Sequence, residues 1–270
     1  MIRITEREFS HLIHYIKNTY GIDLIKKKTL VEGRLGNVIS DKGFDSFSAY
    51  FDHVYSDQSG KEATFLIDRL TTNHTYFMRE SMHYEYLQKT VLPYLEEVAE
   101  DKDLRIWSAG CSSGEEPYTT AMILQEYFKQ DFMKWDAKIL ATDISVSVLN
   151  MARQGIYSGA SLKNLPDAWK KKYFHQEDQE VYRIANRIKD EVIFRSFNLM
   201  NKRFPFKKKF HIIFCRNVMI YFDRQTKLDL IDRFYNQVEW GGYLFIGHSE
   251  SIPKEDTKFK YIMPAIYRKI

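Results

Sequence analysis

The chain has only two cysteines in 270 residues, Cys111 and Cys215. Each sits in an apolar or glycine context, so neither reads as half of a structural disulfide, and a reduced protein is expected. No apolar run approaches the ~18 residues of a membrane helix, so no membrane insertion is expected. The first residues, MIRITEREF, lack the apolar core of a secretory signal, which points to a cytoplasmic protein. The eight histidines are scattered, with no metal-ligand spacing, so no metal is expected. One sign of charge does not dominate. The net charge of +4 gives no argument for nucleic acid. The basic clusters Lys26–Lys28 with Arg34, Lys170–Lys172, and Lys202, Arg203 with Lys207–Lys209 each read first as a solvated face. Two phosphate motifs are also missing, GxGxxG and GxxxxGK[ST].

A hydrophobic content of 44% with 28% charged residues is that of a soluble globular chain of one or two domains. The strongest local signal is Arg105–Tyr118, RIWSAGCSSGEEPY. An apolar run, a small-residue loop and two carboxylates read as strand, turn and helix. Asp143 ends a second apolar run, where an acid can bond ribose hydroxyls. A pyrophosphate would seek bare N–H groups at the helix start, but Glu115 and Glu116 stand there and would repel it. The pattern therefore suits a nucleoside cofactor with a cationic tail and no phosphate, as in S-adenosylmethionine (SAM). Complementing the helix dipole is the structural alternative for either glutamate taken alone.

Residues 1–75 read as a small all-helical domain. Phe9, Leu12, Ile13, Ile16 and Tyr20 recur at helical spacing up to Gly21. Leu30 to Ile39 form a second stripe, Ser46 caps a third helix, and Phe65 to Leu70 suggest a fourth. Its ten basic and ten acidic residues balance, so any basic face must come from arrangement. A linker helix follows within 76–103, at about Met82–Glu100, with a bend at Pro93. From 104 to 270 helices and strands alternate, which implies a parallel sheet with helices on both faces. Strands are expected at Leu104–Ser108, Lys138–Thr142, His211–Cys215 and Tyr243–Gly247, with a final edge strand at Tyr261–Arg268. Helices are expected at Glu115–Lys129, Val146–Gln154 and Arg224–Glu239. Val181–Ile188 and Glu191–Phe197 read as an antiparallel hairpin around Lys189-Asp190, part of an insertion at about 173–197.

Six motifs then coincide in one order: TTNHTYFMRE, IWSAGCSSGEEPY, ILATDIS, SFNLM, IIFCRNVMIYFD and GGYLFIGHSE. Together they resemble the CheR-type chemotaxis receptor glutamate methyltransferases over the family's full length. The resemblance implies an α/β class I SAM-dependent methyltransferase domain of Rossmann-like fold. A small antiparallel β-subdomain would be inserted in it, and a small all-α domain would precede it. It implies SAM as donor, S-adenosylhomocysteine as product and no metal. The acceptors would be glutamates on the cytoplasmic coiled coil of methyl-accepting chemoreceptors.

Residue by residue, the resemblance assigns Asn73 and Thr75 to the amino-acid end of the cofactor. Arg79 falls in the reacting region, where a guanidinium can hold a carboxylate bidentately. Gly110 lets the backbone approach the cofactor, Glu116 meets the ammonium and Asp143 the ribose. Asn198 and Leu199 lie on the adenine side. Asn217, Val218 and Tyr221 follow an apolar strand, where the methyl donor would sit. Cys111 is given no chemistry, and Arg216 reads as structural. Lys26, Lys27, Lys28 and Arg34 form a candidate basic face for an acidic receptor helix. Family members that tether to a receptor's C-terminal pentapeptide carry a glycine-bearing loop in the subdomain. The stretch YFHQEDQEVY, Tyr173–Tyr182, has no glycine, so independence of that tether is expected. Rival readings are a nucleic-acid methyltransferase, whose [DN]PP[YF] motif is absent, a small-molecule methyltransferase, and an inactive cofactor-binding scaffold. A monomer is expected.

Overall fold

The computed structural model describes residues 2–270. Helix α1 (Glu6–Tyr20) starts on a reciprocal cap, in which the Thr5 hydroxyl accepts the Glu8 N–H and the Glu8 carboxylate accepts the Thr5 N–H. Its Phe9, Leu12 and Ile16 share one buried face. Helices α2 (Lys28–Asp41), α3 (Phe47–Ser56) and α4 (Lys61–Leu70) complete the helical module. The Ser46 hydroxyl caps α3 by accepting the Ala49 N–H, as its position suggested. The apolar side of this module merges with one face of the sheet in a single core that includes Leu35, Phe47, Trp107, Ile213 and Leu244.

One helical run then follows in three pieces: α5 (Ser81–Tyr86), a π turn (Leu87–Val91) and α6 (Leu92–Val98). Pro93 has no N–H to offer the carbonyl four residues back. The helix adapts with a wider turn, in which the Leu92 N–H reaches the Leu87 carbonyl.

Five strands of the main sheet are parallel: β1 (Ile106–Ala109), β2 (Ile139–Asp143), β6 (Val192–Ser196), β7 (Phe210–Cys215) and β8 (Val238–Ile246). Helices α7 (Glu115–Phe128), α8 (Val146–Gln154) and α11 (Arg224–Gln237) make the main crossovers. A hairpin of β9 (Lys260–Met263) and β10 (Ile266–Arg268) adds to β8 antiparallel. The strand order is β6-β2-β1-β7-β8-β10-β9. The chain moves outward from β1 through β2 to β6, then resumes on the other side at β7. That reversal opens a crevice at the carboxyl ends of β1 and β7, where open α/β sheets bind ligands.

Two sequence expectations are corrected. The hairpin of Val181–Ile188 with Glu191–Phe197 does not exist. The helical turn α10 (Asn186–Lys189) separates β5 (Val181–Ile184) from β6, and β6 pairs with β2 in parallel, from Ile139↔Val192 to Asp143↔Ser196. The small antiparallel sheet has the order β3-β5-β4, with β3 (Ile156–Ser158), β4 (Phe174–Asp178) and α9 (Asp167–Tyr173) before it in the chain. It therefore spans 156–184, not 173–197. The reason is that β6 is an edge strand with one covered face. Buried Val192 and Phe194 alternate with exposed Ile193 and Arg195, the same period of two that a half-buried hairpin strand shows. The single edge strand Tyr261–Arg268 is likewise a hairpin, turned at Ala265 with φ 65°.

At the start of β7, His211 Nδ1 accepts the Arg105 backbone N–H at 3.0 Å. Burial and the Arg105 charge push the His211 imidazole down to about 4, against the pull of Glu239 and Asp103. Unfolded histidine titrates near ~6.5, so this group's contribution is complete above that pH and is lost as pH falls toward 4, by ~3 kcal/mol at most. Urea unfolding of the wild type and His211→Asn at neutral and acidic pH checks this. The wild type's advantage shrinks at acidic pH; an equal advantage at both would contradict the assignment.

Candidate functional site

The loop after β1 is shaped by contact with the loop after β7. Gly110 has φ +90°, and a Cβ there would lie 2.4 Å from Val218 Cγ2. No other residue fits that conformation and that approach together. The Gly110 and Cys111 N–H groups both donate to the Thr142 carbonyl, at 2.8 and 2.9 Å. Asp143 closes the other side: its Oδ2 accepts the Ser112 N–H at 2.8 Å and its Oδ1 the Ser145 N–H at 2.9 Å. Burial pushes the Asp143 carboxyl up, against those two bonds. Each oxygen keeps a lone pair for a further donor.

Glu115 and Glu116 open α7 but do different things. Buried Glu115 accepts the Ser113 hydroxyl at 2.7 Å. Glu116 turns inward, with Oε1 accepting the Ser108 hydroxyl at 2.7 Å and Oε2 the Arg216 Nη1 at 3.1 Å. Burial pushes both carboxyls up, with Arg216 opposing that shift at Glu116.

Arg216 is the group that sequence reasoning undervalued. It is 6% exposed at the end of β7 and lines the cleft. Its guanidinium donates to Glu80 at 3.1 Å, Glu116 at 3.1 Å, the Tyr84 hydroxyl at 3.0 Å and the Arg79 carbonyl. Glu80, absent from the sequence candidates, also accepts Asn217 Nδ2 at 3.3 Å and the His248 N–H at 3.2 Å. Burial pushes the Glu80 carboxyl up, but the Arg216 charge and these bonds outweigh it, and the net shift is down. Glu250 fixes the same turn by accepting the N–H groups of Asn217 at 3.0 Å, Gly247 at 2.6 Å and Ile220 at 3.1 Å. A Cβ on Gly247 would meet Asn217 Nδ2 at 2.5 Å, so this approach also needs glycine. The acids had a sequence signal in their motifs, RE and GHSE, and Arg216 and Asn217 in theirs, RNVMIY, but no signal showed that these motifs meet.

All eleven candidates for cofactor and reaction line one cleft: Asn73, Thr75, Arg79, Gly110, Glu116, Asp143, Asn198, Leu199, Asn217, Val218 and Tyr221. It encloses about 990 Å³, open solvent at its mouth included, a fair size for a nucleoside-sized ligand. Residues 71–76 form a strap across it. The Asn73 carbonyl accepts the Ser112 hydroxyl at 2.8 Å, and the Thr72 carbonyl accepts the Tyr221 hydroxyl at 3.3 Å. Asn73 and Thr75 cap no helix. Arg79 reaches back to the His74 carbonyl at 2.6 Å. The Asn198 side chain is engaged elsewhere: its Nδ2 donates to the Thr19 carbonyl at 2.7 Å and its Oδ1 accepts the Met200 N–H at 2.9 Å. Only its backbone remains for a ligand.

The helical module reaches the cleft as well. Ile22 bridges Phe222, the Asp23 N–H donates to the Tyr221 carbonyl at 2.8 Å, and Lys17 pairs with Asp223 at 2.6 Å. Tyr20 and Ile22 thereby line the site. No sequence signal marked them, because the pairing spans two hundred residues. Of the expected basic face, Lys26 and Lys27 are exposed, but Lys28 pairs with Glu6 at 2.6 Å. Arg34 is a correction. Its guanidinium is spent on the strap, on the Leu70 and Thr71 carbonyls at 2.8 and 2.9 Å and the Thr72 hydroxyl at 2.9 Å. Cys111 and Cys215 are buried and unbonded to one another, and burial pushes both thiols well up, so neither offers a thiolate.

The cleft thus presents the inward-turned carboxylate of Glu116, a close backbone approach at Gly110 and a fixed acid, Asp143, at the end of β2. That set fits a nucleoside with a cationic tail. Among the described residues, no helix is long and apolar enough to cross a membrane. The CheR methyltransferase SAM binding domain matches residues 73–267, and the CheR methyltransferase all-alpha domain matches residues 7–71. A chemotaxis protein methyltransferase of Borreliella burgdorferi is 47% identical over 99% of this chain and 96% of its own length. Chemotaxis protein methyltransferase 2 of Vibrio cholerae is 36% identical over 96% of this chain and 90% of its own. The chemotaxis protein methyltransferase of Escherichia coli is 33% identical over 98% and 92%. With both family domains in order and relatives matched along nearly their whole length, the chain belongs to the CheR methyltransferase family and is a SAM-dependent chemotaxis methyltransferase.

Proposed function

We propose that the protein esterifies glutamate side chains on the cytoplasmic coiled coil of chemoreceptors, acting as a monomer in the cytoplasm and binding no nucleic acid. The observation that carries this reading is the meeting of Arg79 and Tyr221 with the carboxylates of Glu116 and Asp143 in one cleft, beside a segment of the helical module. When bound, SAM supplies an electrophilic methyl on a sulfonium.

The residues divide the work. Asp143 bonds the ribose hydroxyls through its remaining lone pairs, and Glu116 offsets the ammonium. Asn73 and Thr75 hold the amino-acid end from the strap. The backbone at Asn198 and Leu199 borders the adenine, while Gly110, Asn217 and Val218 shape the floor. An acceptor glutamate has a reference pKa of ~4.3 and is already an anion, so no general base is needed. Arg79 holds the acceptor carboxylate with one oxygen in line with the methyl, and the Tyr221 hydroxyl orients it. With SAM bound, the acceptor carboxylate held by Arg79 would supply the lone pair for the new C–O bond, and the S–C pair would remain with the sulfur of the leaving S-adenosylhomocysteine. The two opposite charges vanish together, so a site that excludes water favours the step.

Exposed Lys26 and Lys27 are the part of the basic face free to steer an acidic receptor helix. In the small sheet, β4 and β5 are joined by the two-residue turn Gln179-Glu180. So short a connection supports independence of a receptor pentapeptide tether.

Receptor-containing membranes incubated with methyl-labelled SAM should gain label on the receptor that base releases as methanol; label stable to base would refute a carboxyl ester. Arg79→Lys should lose roughly 100-fold in kcat with SAM affinity little changed, since a misplaced acceptor costs about that much; a wild-type rate would remove Arg79 from the reaction. Lys26→Glu with Lys27→Glu should raise KM for receptor severalfold at low salt with kcat unchanged, and unaltered kinetics would exclude this face. Deleting the receptor's last five residues should leave the rate unchanged; a large loss would restore the tether.

A further inference from the structure

His83 is a buried imidazole with nothing bonded to it. It is 0% exposed in α5, and neither ring nitrogen has a hydrogen-bond partner. Its Nδ1 lies 3.5 Å from Glu80 Oε2, outside hydrogen-bond geometry. The exposed His248, in the loop after β8, meets it edge to face with ring centroids 4.6 Å apart. A buried polar group without a partner is costly, so its environment calls for one. Glu80, His83 and His248 offer one carboxylate oxygen and two imidazole nitrogens, all within 4.8 Å of one another.

We propose that Glu80, His83 and His248 bind one divalent transition-metal ion of the zinc class, and that this ion antagonises SAM. The donor set selects the class. Two imidazoles with a carboxylate suit Zn²⁺, Co²⁺ or Ni²⁺, whereas Ca²⁺ and Mg²⁺ prefer oxygen throughout. Glu80, in a left-handed turn just before α5, and His83, in the helix's first turn, bring Oε2 and Nδ1 within 3.5 Å of one another. Zinc holds nitrogen at ~2.0–2.1 Å, which sets donor atoms about 3.4 Å apart. The site must contract by about that difference, and His248, on the surface, is the ligand free to turn inward. Charge at the site is divided: the Glu80 carboxylate attracts an ion and the Arg216 guanidinium it holds repels one, so an ion binds by drawing Glu80 away from Arg216.

The antagonism follows from what Glu80 already does. Its Oε2 holds Arg216 and its Oε1 holds Asn217, and both of those residues line the cleft. An ion that takes this carboxylate loosens both. Linkage makes the effect reciprocal, so bound cofactor weakens the ion equally. The ion has no part in methyl transfer, which needs no metal. Only the antagonism rests on the cleft being the SAM site.

Metal-free full-length protein titrated with Co²⁺, read by its ligand-field absorption, tests the site without any methyl transfer. One ion per chain should bind, Zn²⁺ should displace it, and His248→Ala should lose it while keeping its unfolding temperature. Binding weaker than about 0.1 mM, or unaltered binding in His248→Ala, would overturn the site and leave a trapped water as the partner of His83. Calorimetry of S-adenosylhomocysteine with and without saturating Zn²⁺ tests the antagonism. Affinity should fall about fivefold or more, the lower end of measured couplings, and should not fall in His248→Ala. Equal affinity in the wild type would overturn the antagonism.

Discussion

The Arg216 guanidinium is the tie on which the site's geometry depends. It joins the end of β7, the start of α7 and the turn at Arg79-Glu80, three stretches far apart in the chain. Burying a charge this deeply is costly unless every donor is matched. Here two carboxylates, a phenol and a carbonyl surround it. The balance is unequal, with Glu80 and Glu116 sharing one cation. Glu116 is accordingly pushed up by burial even with Arg216 beside it. A second cationic group is therefore welcome in this corner. That same imbalance leaves negative charge in the cleft at Glu116, the residue proposed to offset the cationic tail of the cofactor.

The helical module is joined to the reaction region by backbone as well as by packing. The Ile22–Phe222 bridge and the Asp23 bond to the Tyr221 carbonyl fix the residue assigned to orient the acceptor. Arg34 holds the strap from the other side through the carbonyls of Leu70 and Thr71. The helical module is thus mechanically continuous with the strap and with Tyr221. Movement of either would be felt in the cleft, because these contacts are short hydrogen bonds between backbone groups or to a planar guanidinium.

Much of the architecture was legible because local rules and tertiary demands agreed. Thr5, Ser46 and Ser145 stand where caps belong, and each caps the helix that follows it. Continuous apolar runs such as IIFC became buried central strands. The rules failed where two structures share one signal. Edge strand β6 has the alternation of a hairpin strand, so its partner could not be read from it. Arg34 looked like an available charge because the carbonyls that consume it lie more than thirty residues away.

By itself, the sequence determined the motif-bearing loops and their order: those after β1, β2 and β7 follow apolar runs that local patterning defines, and the strap at Asn73–Arg79 was marked by its motif alone. Only the tertiary structure decided what those side chains do to one another. It spent Asn198 on Thr19, gave Arg216 to Glu80 and Glu116, and brought His248 against an unpartnered His83. Hydrogen bonds and ion pairs depend on distances of a few ångströms between groups that the chain separates by a hundred residues or more. No local pattern encodes such a distance until the sheet has closed.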